Sequence, residues 1–239
     1  AFVFPTKLGT YQPIIVDWGD FNGSNVSWTL NLNNNDKWEF SFKIGSTIYA
    51  AGVGAAVVAA GLNQFYHLAA VRNGNAHTLY VNGTAYGTVI TQAGALNNCT
   101  DVLRVGAYHA TYTWTGNISN VRIVKGTAVY TGNFTPPTSK LTAITNTKLL
   151  TCQSNRFVDN SASAKTLTPS GKTAVTSFGP FLSSAVYNPA VNGASAYMDG
   201  SGDTLRATWT AADIINQNFT LEYWLYYTCL LYTSPSPRD

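Results

Sequence analysis

The stretch FYHLAAVRNGNAHTLYVNGTAYGTVI, residues 65–90, limits the possible fold more tightly than any other part of this chain. Two Asn-Gly pairs, Asn73-Gly74 and Asn82-Gly83, separate runs rich in β-branched and aromatic residues. Asn and Gly accept positive φ at low cost, so each pair marks a tight turn between strands. Three antiparallel strands in a meander are expected here.

The same grammar recurs along the chain. Alternating or aromatic runs at 14–18, 27–32, 38–44, 102–106, 114–125, 148–152, 164–168, 195–198, 204–208 and 219–227 read as strands. Short strands with turn signals between them indicate a sandwich or barrel. No segment holds a helical period, although 211–216 has room for one short turn. The apolar run 50–62 carries three glycines, which weaken a helix, and reads as a strand flanked by loop, with a helix as the alternative. At 239 residues the chain suffices for one large all-β domain or two small ones. Two prolines in NFTPPTSK, residues 133–140, fit a linker or an edge and mark a boundary.

Composition narrows the partners. Charged residues make up 10% of the chain and the net charge of +3 is spread without a Lys/Arg run, so no nucleic-acid footprint is visible. The run 50–62 is too short to span a bilayer, so no membrane partner is expected. No secretory signal is visible at the start. Cys99, Cys152 and Cys229 are too few and scattered for a disulfide framework or zinc site and read as buried or half-buried free thiols.

FYHLAAVRNGNAHTLYVNG, LRVGAY and ISNVRIVKGTAVYTGNFTPP resemble the concanavalin A-like, laminin-G-like jelly-roll domains of bacteriophage structural and tail proteins, marine ones especially. SAYMDGSGDTLRATWT and FTLEYWLYYT are similar to the opening half of the same domain. The resemblance implies an all-β antiparallel jelly-roll sandwich, on a virion or outside the cell. It also implies an order: in that family the DGSGD and aromatic strands come first, whereas here they come last. Aligning AFVFPT at 1–6 with YWLYYT at 223–228 gives an offset of 223 − 1 = 222 residues, read as the period of a tandem repeat. Residues 1–142 are then the back half of one repeat and 143–228 the front half of the next. The halves either close into one circularly permuted sandwich or form two separate half-sheets. Residues 229–239, CLLYTSPSPRD, back-translate to a sequence resembling a transposase library adapter, so a non-native tail is expected there, a Pro/Ser linker being the alternative.

Enzymes of this fold place paired acids on one strand, one as nucleophile and one as acid. Glu39 and Glu222 are the only glutamates, and neither has an acidic neighbour at i+2 or i+5, so a non-catalytic module is expected, with a glycan-cleaving domain as the remote alternative. Sugar binding requires aromatic faces with hydrogen-bonding groups beside them. Trp18, Asp20 and Asn22 in DWGDFNGSN, and Tyr108, His109 and Tyr112 in GAYHATYTW, supply those types from expected loops. Tyr and Trp also cover sandwich ends without any ligand, so an architectural module remains open. Trp28, Trp38, Trp114 and Trp224 are assigned to the core, and His67 to a packed or rim position. Asp199 and Asp203 in DGSGD provide hard oxygen ligands that suit calcium, or carboxylates that bond their own turn. The expected partners are glycans or cell-surface polysaccharide and neighbouring repeats of the same protein.

Overall fold

A computed structural model describes residues 1–19, 25–53, 60–109, 111–181, 193, 195–207 and 218–224. The expected turn at 211–216, the tail 229–239 with Cys229, and residues 54–59 of the run 50–62 lie outside the described residues. Regular structure in the described residues is all strand, and no helix there is long and apolar enough to cross a membrane.

The first strands are β1 (Phe2–Pro5), β2 (Gln12–Trp18), β3 (Val26–Leu32), β4 (Trp38–Ile44), β5 (Thr47–Ala51), β6 (Tyr66–Asn73) and β7 (Ala76–Val81). Shorter pieces follow: β8 (Thr84–Ala85), β9 (Ile90–Thr91), β10 (Leu103–Val105), β11 (Ala107–Tyr108) and β12 (Tyr112–Thr113). The long β13 (Thr115–Lys125) precedes β14 (Thr147–Thr151), β15 (Leu167–Ser170) and β16 (Ala174–Thr176). The last are β17 (Ser195–Asp199), β18 (Thr204–Ala207) and β19 (Phe219–Trp224).

Two antiparallel sheets carry the fold. One has ten strands, running β16-β17-β13-β1-β6-β7-β8, with β14 and β19 also on β13 and β9 on β7. The other has seven, in the order β15-β18-β10-β2-β3-β4-β5, and β11 with β12 forms a small ribbon. Strands from both sides of the proline segment contribute to both large sheets, so the two parts of the chain build one sandwich.

Period-two alternation places the core. Trp28, Leu30 and Leu32 of β3 and Trp38, Phe40 and Phe42 of β4 are buried together on the inner face of the seven-stranded sheet. From the other sheet, Phe219, Leu221 and Tyr223 meet them. The Phe219 ring lies 5.9 Å from both Trp28 and Phe40. Each such ring, fully buried, contributes about 1.5–3 kcal/mol. Trp114 is also buried, between β12 and β13.

The hairpins form as the sequence directs. Asn82 and Gly83 both take positive φ, 49° and 81°, in the two-residue turn from β7 to β8. The first hairpin is shifted by one residue: Asn73 pairs with Ala76, so Gly74 (φ 59°) and Asn75 form the turn. Glycine first is the arrangement of a type II′ turn. The expected strand 164–168 lies three residues further on, at Leu167–Ser170.

Residues 126–134 fold back over the outer face of the ten-stranded sheet. Tyr130 and Phe134 stack at 3.6 Å, and Ala69, Val71 and Tyr80 form the surface beneath. Phe134 N donates to Gly83 O at 2.8 Å, and Asn133 Oδ1 accepts from Ala85 N at 2.9 Å. The start of the proline segment is therefore docked on the β7–β8 turn.

β1 and β19 share one track between β13 and β6. Phe2 and Trp224 both have Ser119 as register partner, while Tyr223 and the Ala1 backbone both meet Leu68. The offset is 224 − 2 = 222, the value that aligns AFVFPT with YWLYYT.

Candidate functional site

The alternation that buries residues 28, 30, 32, 38, 40 and 42 turns Thr29, Glu39 and Ser41 to the outer face of the seven-stranded sheet. There they join Tyr11, Val16, Trp18, Ile48 and Tyr108 around a cavity of about 270 Å³. That is close to the lower end of small-ligand sites, about 300 Å³. Strand register assembles it: Val16 lies opposite Thr29, Thr29 opposite Ser41, and Asn31 opposite Glu39.

Polar groups of this face are held in place. Glu39 Oε2 accepts from Asn33 Nδ2 at 3.1 Å, and Oε1 accepts from Ser41 Oγ at 2.5 Å. Thr29 Oγ1 donates to Ile15 O at 3.4 Å. Burial pushes the Tyr11 phenol well above its ordinary pKa; a hydrogen bond with Thr29 opposes this, and Glu39 and Tyr108 add smaller upward contributions. Beside the cavity both amide atoms of Asn31 are buried, and so is Trp18 Nε1; none has a hydrogen-bond partner among the described residues. Buried donors and acceptors of this kind are expected to be satisfied.

Of the residues expected to bind, Trp18 and Tyr108 line the cavity. Trp18 ends strand β2 and is 7% exposed, and Tyr108 lies in β11 at 6%, so both sit in strands rather than the expected loops. Tyr112 packs behind them, its ring 5.4 Å from Tyr11 and 6.4 Å from Tyr108. His109 is exposed, has φ 52°, and bonds through Nε2 to Gly19 O at 2.9 Å, which ties the loops after β2 and β11 together. Asp20 and Asn22 lie outside the described residues. Reading loops alone missed Tyr11, Val16, Thr29, Glu39, Ser41 and Ile48. The signal was present in the strands: Thr29 and the Glu39/Ser41 pair are the polar positions alternating with Trp28, Leu30, Trp38, Phe40 and Phe42.

Asp203 is fully buried, and both its oxygens accept backbone N–H groups, one from Lys172 and one from Asp199 at 2.5 Å. Asp199 Oδ1 accepts from Ser201 N at 2.9 Å, and its Oδ2 lies 3.5 Å from Lys172 Nζ. Calcium requires about six to eight oxygen ligands. Among the described residues no group of three or more His, Cys, Asp or Glu is placed to hold a metal. The pair fits a carboxylate-clamped turn and fits a calcium site poorly.

A second polar assembly lies under the 126–134 strap. Glu222 of β19 accepts from Arg122 Nε at 2.8 Å and from Arg122 Nη2, lies 3.2 Å from His67 Nε2, and accepts from the Tyr130 hydroxyl. His67 and Glu222 are fully buried. ISNVRIVKGTAVY thus supplies an arginine and a tyrosine that close over the chain's second glutamate, a structural use of that motif.

No curated protein and no solved structure matches the chain. A family model described as the concanavalin A-like lectin/glucanases superfamily, laminin-G-like, matches residues 1–129. That span carries both hairpins, most of the strands of the two sheets, and every residue that lines the cavity. With a two-sheet antiparallel sandwich built around them, the chain belongs to the concanavalin A-like lectin/glucanases superfamily.

Proposed function

We propose that this is a non-catalytic carbohydrate-binding module that holds a saccharide in the cavity on the outer face of the seven-stranded sheet. The observation that carries the reading is the meeting of Trp18 and Tyr108 with Glu39, Ser41 and Thr29 around one cavity. Aromatic rings offer surfaces for the C–H faces of a sugar, and the carboxylate and hydroxyls offer partners for its hydroxyls. Retaining glycosidases need two carboxyl groups about 5–5.5 Å apart. Glu39 is the only carboxylate among the described residues lining the cavity, and Glu222 belongs to the other sheet, which supports the non-catalytic reading.

Resemblance of the 65–83 and 118–137 strings to phage structural proteins supports placing the module on a virion or outside the cell, beside further copies of itself. A packing interface is the second reading, favoured by Ile48, which is half exposed at the cavity mouth.

Glycan-array screening followed by calorimetry tests the proposal. Trp18→Ala and Tyr108→Ala are expected to weaken saccharide binding at least about tenfold, or 1.4 kcal/mol, with the β-sheet circular dichroism retained. Binding indifferent to both substitutions removes the site assignment. Absence of binding together with self-association abolished by Ile48→Glu supports the interface reading. Release of reducing ends from an oligosaccharide, lost in Glu39→Gln, overturns the non-catalytic one.

A further inference from the structure

The cavity is unbalanced in charge. Glu39 is half-buried on its wall, and among the described residues no lysine or arginine lines it. The carboxylate is held by two neutral donors, Asn33 Nδ2 and Ser41 Oγ, and has no cationic partner among the described residues. Arg104, opposite Val16 on the same sheet, is 2.9 Å from Asp101 and ion-paired there. Three aromatic residues, Tyr11, Trp18 and Tyr108, line the same cavity. A carboxylate within an aromatic wall suits a cation: the ring faces attract it through their quadrupoles, and the carboxylate forms a charge-assisted hydrogen bond with it. Neutral hydroxyls alone leave the Glu39 charge without a counter-charge in a cavity walled largely by rings and aliphatic side chains.

We infer that the cavity selects saccharides bearing a positively charged ammonium group, an amino sugar with its amine free. The inference rests on the saccharide-binding reading above and specifies the ligand of that same cavity. The ammonium lies against Glu39, and the ring carbons lie on the aromatic wall.

Calorimetry with three probes of equal length tests it: a glucosamine oligomer, its N-acetylated counterpart, and a neutral glucose oligomer. The glucosamine oligomer is expected to bind about tenfold more tightly than either, the scale of one charge-assisted hydrogen bond. Glu39→Gln is expected to bring the affinities of the glucosamine and neutral oligomers together, erasing that preference. Raising the salt is expected to reduce the preference in the unsubstituted protein, a readout independent of the variant's folding. Equal affinities, tighter binding of the acetylated oligomer, or a preference that survives in folded Glu39→Gln overturns the inference and leaves saccharide binding standing. Failure of all three oligomers, with no other glycan bound on the array, overturns the underlying reading and the inference with it.

Discussion

Glu222 makes the largest local demand on this fold, a fully buried carboxylate on the strand that fills the core. Burial alone raises its pKa, but the His67 hydrogen bond, the Ala1 amino group and Arg122 more than offset this and hold it at about 2. Removing one partner of a buried pair leaves the other charge uncompensated, so Arg122→Ala is expected to cost about 3–5 kcal/mol in urea denaturation. Tyr130→Phe, which removes one hydroxyl, is expected to cost about 1–3 kcal/mol. His67 is lowered from 6.5 to about 4, by burial first and then by the nearby amino group. Between those values the unfolded chain takes up a proton that the folded one refuses, so stability present above pH 6.5 is lost as pH falls toward 4. Glu222 acts in the same sense at lower pH: its contribution fades from about 4.5 down to about 2. Urea midpoints that stay constant from pH 7 to 4.5 contradict this assignment. None of this was legible locally, because His67, Arg122 and Glu222 are brought together by pairings 55 to 155 residues apart along the chain.

The elements were far more legible than the sites, and the hairpins explain why. A two-residue turn is decided by the φ that its own residues accept, so NGN and NGT could be read directly from the sequence. What the sequence concealed is that the two turns differ in surroundings. Gly74 has nothing within 4 Å of an added Cβ, whereas a Cβ on Gly83 would lie 1.8 Å from Phe134 O, where the 133–140 segment docks. Gly74→Ala is therefore expected to cost only the positive-φ penalty, about 1–2 kcal/mol. Gly83→Ala must also displace the Phe134 backbone, and with it the Tyr130 stack over Glu222, for a loss above roughly 3 kcal/mol. Urea midpoints of the two variants decide it, and equal losses contradict the docking of that segment. The cavity was half legible for a related reason. Trp18 and Tyr108 stand out by residue type, but Thr29, Glu39 and Ser41 join them only once the β2–β3–β4 register is known.

At the scale of the whole molecule, the order of the strands and the order of the chain are out of step. β13 runs through the ten-stranded sheet with β17 and β14 along one side, while β1 and β19 lie head to tail along the other. Phe2 and Trp224 meet at Ser119, so joining Glu222 to Ala1 turns the two pieces into one strand that keeps the backbone register, with Ala1 and Phe2 in the places of Tyr223 and Trp224. Thr138 and Ser139 are exposed and lie outside the strands, which makes that point suitable for opening. A permutant running 139–222 and then 1–138 is expected to fold with the same register. In the parent the Ala1 ammonium is buried against Leu68 O at 3.2 Å, and burial lowers its pKa well below the ordinary value. In the permutant that nitrogen becomes an uncharged peptide N–H, which relieves the desolvation of a buried charge, but the buried Tyr223 ring is lost, so cooperative unfolding with the register kept, and not a gain in stability, is the expected outcome. The control joins Glu222 directly to Phe2, a one-residue slip that sends each following side chain to the opposite face of the sheet. Val3 and Ile118, both fully buried, would no longer be in step, and this version is expected to lose cooperative unfolding. If the slipped chain proves as stable as the in-register one, the shared track of β1 and β19 does not organise the fold.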